Sequence, residues 1–297
     1  MRSFLNLQVK QKQDKIVPDV ASISAAQLES DPAIPITLRQ INALPLNAKR
    51  RIYRALLPLN LLTRFRVDPI TWNGSGGGQC VSLWADEGAN HLALGVSPAA
   101  HPHNEFLRLE LADNAINGID LNMLVLSDPA EEYFRIDYDG NGSPTLFGTA
   151  RRNLAAEQRA MQAGLAPGQT YKGLGASAEV FQQLETFLAT LGHRAYFLEP
   201  LTYVSAWVFE RRGFAYVRGH KLMDDIHTEF QPGGRLHRML DGATPFRQPD
   251  QWRTVRGRAW AIQDGILEGI DARWDALRMV KQVGRHAQVE TFPQAVY

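Results

Sequence analysis

The six-residue run Lys172-Gly173-Leu174-Gly175-Ala176-Ser177 has the make-up of an anion cradle. Two glycines let backbone amides approach a phosphate with no Cβ in the way. The apolar spacing that follows puts those amides at a helix N-terminus, where the dipole is positive. Other runs lack part of what their chemistry requires. Asp137-Tyr138-Asp139-Gly140-Asn141-Gly142 matches the first half of a calcium loop, but the twelfth position, which needs a bidentate Glu, is Gly148. A hairpin turn is the expected form. His101-Pro102-His103 with Glu105 offers two imidazoles and a carboxylate around a proline that spoils their geometry, so no metal is expected. Asn73 to Gln79 (NGSGGGQ) runs into alternating CVSLWAD, whereas a phosphate loop runs into a helix. It is read as a turn. The chain has no Gly-x-Ser-x-Gly elbow, zinc-protease helix or dinucleotide fingerprint.

The elements around the glycine loop are the best patterned of the chain. Val180, Phe181, Leu184, Phe187, Leu188 and Leu191 form one helical stripe, stopped by Gly192. His193 to Leu198 reads as a strand closed by Pro200, which cannot donate to a ladder. Val204, Trp207, Val208 and Arg211 repeat at helical spacing up to Gly213, and Phe214 to Val217 reads as the next strand. Helices between strands bury a sheet face, which gives an α/β or α+β core.

This block, Lys172 to Gly219, resembles the C-terminal half of the GNAT (acyl-CoA N-acyltransferase) superfamily. Members carry Gln/Arg-x-x-Gly-x-Gly/Ala before a helix, and a second helix ending near Tyr-x-x-x-Gly-Phe. The matching runs here are Lys172 to Ser177 and Phe209-Glu210-Arg211-Arg212-Gly213-Phe214. The resemblance implies that acetyl-CoA or another acyl-CoA lays its pyrophosphate on residues 172–177. Lys172 and Ser177 depart from the family's preferred types. Thr202 lies where an Asn commonly meets the pantetheine arm, and Phe209 where a Tyr often protonates the leaving thiolate. Acyl transfer to an amine needs a base and an acid. The family's base is often a carboxylate on the fourth strand, which nominates Asp137 and Asp139, with Glu199 as a further candidate. Tyr203 is the phenol nearest to replacing the one missing at Phe209. The same resemblance implies a mixed, mostly antiparallel sheet flanked by helices.

Along the chain, residues 1–71 read as a polar arm followed by short helices, residues 72–222 as the acyltransferase-like core, and residues 223–297 as a helical extension packed on it. In the first part, Leu46 to Leu62 is helical, capped by Asn47 and broken at Pro58, with a solvated basic face of Lys49, Arg50, Arg51 and Arg54. In the core, strands are expected at Val81 to Ala85, His91 to Val96, Phe106 to Leu111, Ile119 to Leu126 and Tyr133 to Tyr138. One sheet should span Val81 to Val217, with the strands nearest Pro200 and Gly140 splayed apart. An insertion at about 140–171, holding a helix at Asn153 to Ala163, separates the last of the five strands from the glycine loop. In the extension, Met223 to Gln251 is loop-rich, with a short helix at Arg235 to Leu240. Thr254 caps a long helix to Val283 that packs on the sheet or on a second subunit, as in a homodimer.

Composition narrows the classes. With 44% hydrophobic and 21% charged residues among 297, the chain is an ordinary globular protein. Lys plus Arg at 32 against Asp plus Glu at 31 gives a net charge of +1, which points neither to nucleic acid nor to an anionic membrane. Cys80 stands alone, so neither an internal disulfide nor a cysteine metal cage is available, and a cytoplasmic setting is the default. No run approaches transmembrane length. Two functions remain: an acyltransferase acting on a small-molecule or peptide amine, and a non-catalytic module of the same form that binds a CoA thioester or another ligand. A tandem acyltransferase using aminoacyl-tRNA ranks last, since one glycine loop is present and the charge is nearly neutral.

Overall fold

A computed structural model describes residues 34–101, 104–146, 148 and 150–297. The arm expected at 1–35 lies outside these, apart from Ile34 and Pro35. Pro102 and His103 also lie outside them. Chain folding begins with α1 (Leu38–Asn42), α2 (Leu46–Tyr53), a 3-10 turn (Arg54–Leu56) and α3 (Leu59–Arg64). Thr37 and Gln40 close a reciprocal capping box on α1, a helix that sequence pattern missed. Pro58 separates the later helices as expected, but Pro45, not Asn47, stands at the N-cap of α2. Lys49 corrects the solvated-face reading. Its ammonium is buried and donates to the carbonyls of Ala85 (2.6 Å) and Asn42 (3.3 Å). Leu38, Ile41, Ile52, Tyr53 and Leu56 bury in the same core as the sheet, so this segment is part of one packed body.

The seven-stranded sheet comprises β1 (Val81–Trp84), β2 (His91–Val96), β3 (Leu107–Asp113), β4 (Ile119–Leu126), β5 (Ala195–Leu198), β6 (Ala215–Arg218) and β7 (Arg278–Gln282), in the order β1-β2-β3-β4-β5-β7-β6. Every pair is antiparallel except β4 with β5. That parallel pairing covers only Ile119↔Tyr196, Asp120↔Phe197 and Leu121↔Leu198. The ladder of β3 with β4 then shifts between Glu110 and Leu111, so that Asn122 is the extra residue of a bulge. A bulge bends its strand, and Pro200 forbids β5 from following. The two strands part, leaving Met123 to Leu126 of β4 without β5 as a neighbour.

The splayed pair is therefore β4 and β5. The segment Tyr133 to Tyr138 near Gly140 forms no strand, although Phe134 and Ile136 are buried on one side as a strand's would be. The insertion is accordingly longer than 140–171. It leaves the sheet at Ser127 and returns at Gly173, where the two form an isolated bridge closed by the Asp128 amide on the Lys172 carbonyl (2.8 Å). Its helix α4 (Leu154–Gln162) is capped by Asn153 as expected.

Helix α5 (Ser177–Thr190) packs with the N-terminal helices on one face of the sheet. Helix α6 (Tyr203–Arg211) covers the other, together with α7 (His220–Glu229), α8 (Arg235–Arg238) and α9 (Val255–Gln263). Two expectations are corrected here. Met223 to Gln251 is less loop-rich than expected, since α7 occupies its start, while α8 is the short helix expected from Arg235. The long helix from Thr254 ends at Gln263, because Gly265 (φ 83) and Asp271 (φ 54) take left-handed backbone on either side of a 3-10 turn. The chain then returns as β7, inside the sheet. The described residues hold nine α-helices, and no helix among them is long and apolar enough to cross a membrane.

His193 ties the first segment to the core. Its Nε2 donates to the Ile36 carbonyl at 2.9 Å, and burial holds its pKa below the ordinary value. The unfolded chain therefore binds a proton that the folded one resists. The stability that His193 contributes is complete above about pH 6.5 and declines as pH falls below it. The His193→Gln variant retains a donor for Ile36 and should lose less stability than the wild type between pH 7 and 5, measured by urea unfolding. An unchanged acid limb would exclude His193 as its source.

Candidate functional site

A cleft of 670 Å³ opens at the N-terminus of α5, between the glycine loop and α6. The amides of Ser177, Ala178 and Glu179 have no acceptor among the described residues, as the first turn of an uncapped helix requires. Gly175 lies at φ 69, and a Cβ built on it meets nothing within 4 Å, so its bare backbone faces open space. Lys172 to Ser177 all line the cleft.

The opposite wall is cationic. Arg211 and Arg212 come from the end of α6, and Arg256 from the start of α9. Arg212 donates to Ser177 Oγ through Nε (3.2 Å) and Nη2 (2.8 Å), which fixes it at the helix mouth. Gly213 turns the chain sharply after α6 at φ 86, and a Cβ there would meet His286 at 2.9 Å. Trp207 and Tyr297 stack at 5.6 Å, with the Arg211 guanidinium 5.0 Å over Trp207 and that of Arg256 4.0 Å over Tyr297. Arg256 Nε is buried without a partner. The pairs that temper this charge are exposed and loose, Lys172 with Glu131 at 3.2 Å and Arg211 with Glu290 at 3.8 Å. Among the described residues no Asp or Glu side chain lines the cleft. The arrangement suits a polyanion with a flat ring.

The remaining expected site residues lie elsewhere. Thr202 caps α6, accepting from the Ser205 amide at 3.2 Å. Phe209 turns into the core, edge-on to Phe181 at 6.0 Å. Tyr203 is 2% exposed and outside the cleft lining; burial raises its pKa, while the positive charge of Arg258 opposes that shift. Glu199 is exposed and pairs with Arg278 at 3.2 Å. Asp139 is spent on a turn: it accepts from the amides of Asn141 (2.9 Å) and Ser143 (2.8 Å) and from Arg151 (3.0 Å). Those donors, the Ser143 amide first, hold its pKa below the usual carboxylate range. The bridge Tyr138↔Pro144 makes the calcium-like run the hairpin turn its sequence suggests. Neither Asp137 nor Asp139 is on the fourth strand, which is β4, so the strand argument for them as the base is corrected. Asp137 lines a second cavity instead.

Sequence reasoning passed over Arg212, Arg256 and Tyr297 as site residues. Arg212 was within reach, sitting beside the Gly-Phe ending. The other two arrive from distant segments, Val296 pairing with Thr254 to seat Tyr297 beside Arg256. In comparisons with family models, with curated proteins and with solved structures, the chain has no match.

Proposed function

We propose that the protein is an acyl-CoA-dependent acyltransferase of GNAT type that moves an acyl group onto an amine. One observation carries the reading: a cationic cleft containing unaccepted helix amides and a bare glycine opens at the end of β4, between the glycine loop and α6. The mixed, mostly antiparallel sheet flanked by helices, which the resemblance implies, supports the reading. In this reading residues 175–179 and Arg212 hold the pyrophosphate, and the ring column of Trp207 and Tyr297 faces the nucleotide end. The coenzyme supplies an activated acyl thioester: the carbon–sulfur bond breaks, a carbon–nitrogen bond forms, and the amine gives up a proton. The Ser127 amide points to Phe106 on the β3 side at 3.1 Å, so by alternation the Leu124 amide points into the gap. A donor there can stabilise charge growing on a thioester oxygen.

A second reading, a binding module without turnover, is favoured by the cleft's lack of an Asp or Glu side chain and by the absence of Phe209, packed against the core, and of buried Tyr203 from its lining. Calorimetry and thermal unfolding with coenzyme A test what both readings share. At 100 times its Kd the ligand should add about 2.7 kcal/mol of stability. Acetyl-CoA with an amine panel, followed by thiol release, separates them. Acceptor-dependent release supports the enzyme; binding without release across the panel supports the module; absence of binding removes the enzyme and leaves only a module for another ligand.

A further inference from the structure

We propose that the cavity between the end of β4 and the inserted segment binds a primary amine with an apolar body, held by the Asp137 carboxylate. Its role as the acceptor site rests on the acyltransfer reading; the binding itself does not. The cavity holds 380 Å³, within the range of small-ligand pockets. Val125, Tyr138 and Leu146 all border it while remaining 39%, 39% and 62% exposed, three large apolar side chains converging on one hollow. The buried indole of Trp260 forms another wall.

Charge sets the choice of an amine. Two carboxylates border the cavity, Asp137 and Glu157. Glu157 is neutralised by Arg152, whose Nε and Nη2 reach it at 2.9 and 2.5 Å. Arg152 also meets Asp264 at 3.0 Å, and Asp264 meets Arg247 at 2.8 Å, so two guanidiniums balance two carboxylates in that network. Asp137 has no cationic partner among the described residues. Its one side-chain bond is from the Tyr133 hydroxyl at 2.5 Å on Oδ1, which leaves Oδ2 able to accept. The exposed guanidinium of Arg135 lies 5.5 Å over the Tyr138 ring without pairing with Asp137. An ammonium at Asp137 with its carbon body against Val125, Tyr138 and Leu146 satisfies both features together.

Position links this cavity to the cleft. Val125 borders the cavity and Leu126 the cleft; Thr170 borders the cavity and Gln169 the cleft. The two hollows therefore flank the same two chain segments, Val125 with Leu126 and Gln169 with Thr170. Two substrates of a group transfer need adjacent sites of this kind.

The test is calorimetric titration at pH 7.4 of 2-phenylethylamine and its uncharged counterpart 2-phenylethanol, without coenzyme A. The expected result is about tenfold tighter binding of the amine, the value of one charge-assisted hydrogen bond. Asp137→Asn should lower amine affinity to the level of the alcohol, and Val125→Trp, which fills the cavity, should weaken both ligands. Equal affinities in the wild type, a preference that survives in Asp137→Asn, indifference to Val125→Trp, or no saturable binding would each overturn the proposal. Because coenzyme A is absent, loss of the acyltransfer reading leaves a positive result standing. Failure here leaves that reading in need of another acceptor surface.

Discussion

Gly175→Asp is expected to abolish coenzyme A binding while leaving the fold intact. The position has φ 69 and open space around it, and Asp is among the residues that tolerate left-handed backbone best. The folding penalty should therefore stay near 1 kcal/mol. The binding penalty is larger, because the new carboxylate stands against the phosphates. At about 4 Å and an effective dielectric near 20, like charges repel by roughly 4 kcal/mol, about three decades in Kd. Gly175→Asn has nearly the same size and backbone preference without the charge, so it separates bulk from repulsion and should lose tenfold at most. Calorimetry measures both, with thermal unfolding as the control. Wild-type affinity in the Asp variant would take the pyrophosphate away from this loop.

Trp260→Ala is expected to have the largest effect on stability. The indole is 1% exposed, stacks on Phe246 at 5.3 Å, and packs with Phe134, Ile136, Ala160 and Leu165 from the insertion. Its Nε1 donates to the Leu165 carbonyl at 2.9 Å. Emptying such a site costs about 3–5 kcal/mol, and stranding the carbonyl adds about 1–3 kcal/mol. Against a typical total of about 5–15 kcal/mol, much of the folded population is at risk. Trp260→Phe keeps a ring and loses the donor, so only the smaller of those penalties should remain. Urea unfolding resolves the two. An Ala variant as stable as the wild type would show that the insertion does not depend on α9 for its anchorage.

Strands β1 to β4 were legible because each is a short apolar run bounded by turn residues, and the five residues between β3 and β4 signal antiparallel pairing. The glycine loop and its helix were legible because their chemistry is local. Tyr133 to Tyr138 misled for a physical reason. Alternation reports an extended backbone with one side buried, and Phe134 and Ile136 satisfy that without any neighbouring strand. The C-terminal strand β7 was hidden because Ile262, Ile266 and Ile270 continue a helical spacing through two left-handed breaks. In the site, the loop and Arg212 lie in recognisable runs. Arg256 and Tyr297 reach the cleft through tertiary packing alone, which no local pattern encodes.

The strand order β5-β7-β6 has a consequence for synthesis. β6 is made long before β7, yet its only partner in the sheet is β7. While the ribosome is still adding the fifty-nine residues between Arg218 and Arg278, β5 presents an open edge and β6 has nothing to pair with. Unpaired edges in a growing chain invite association with other chains. The nascent protein must keep that edge from partners until residue 282 has cleared the exit tunnel. Only then can the last strand made enter between two older ones.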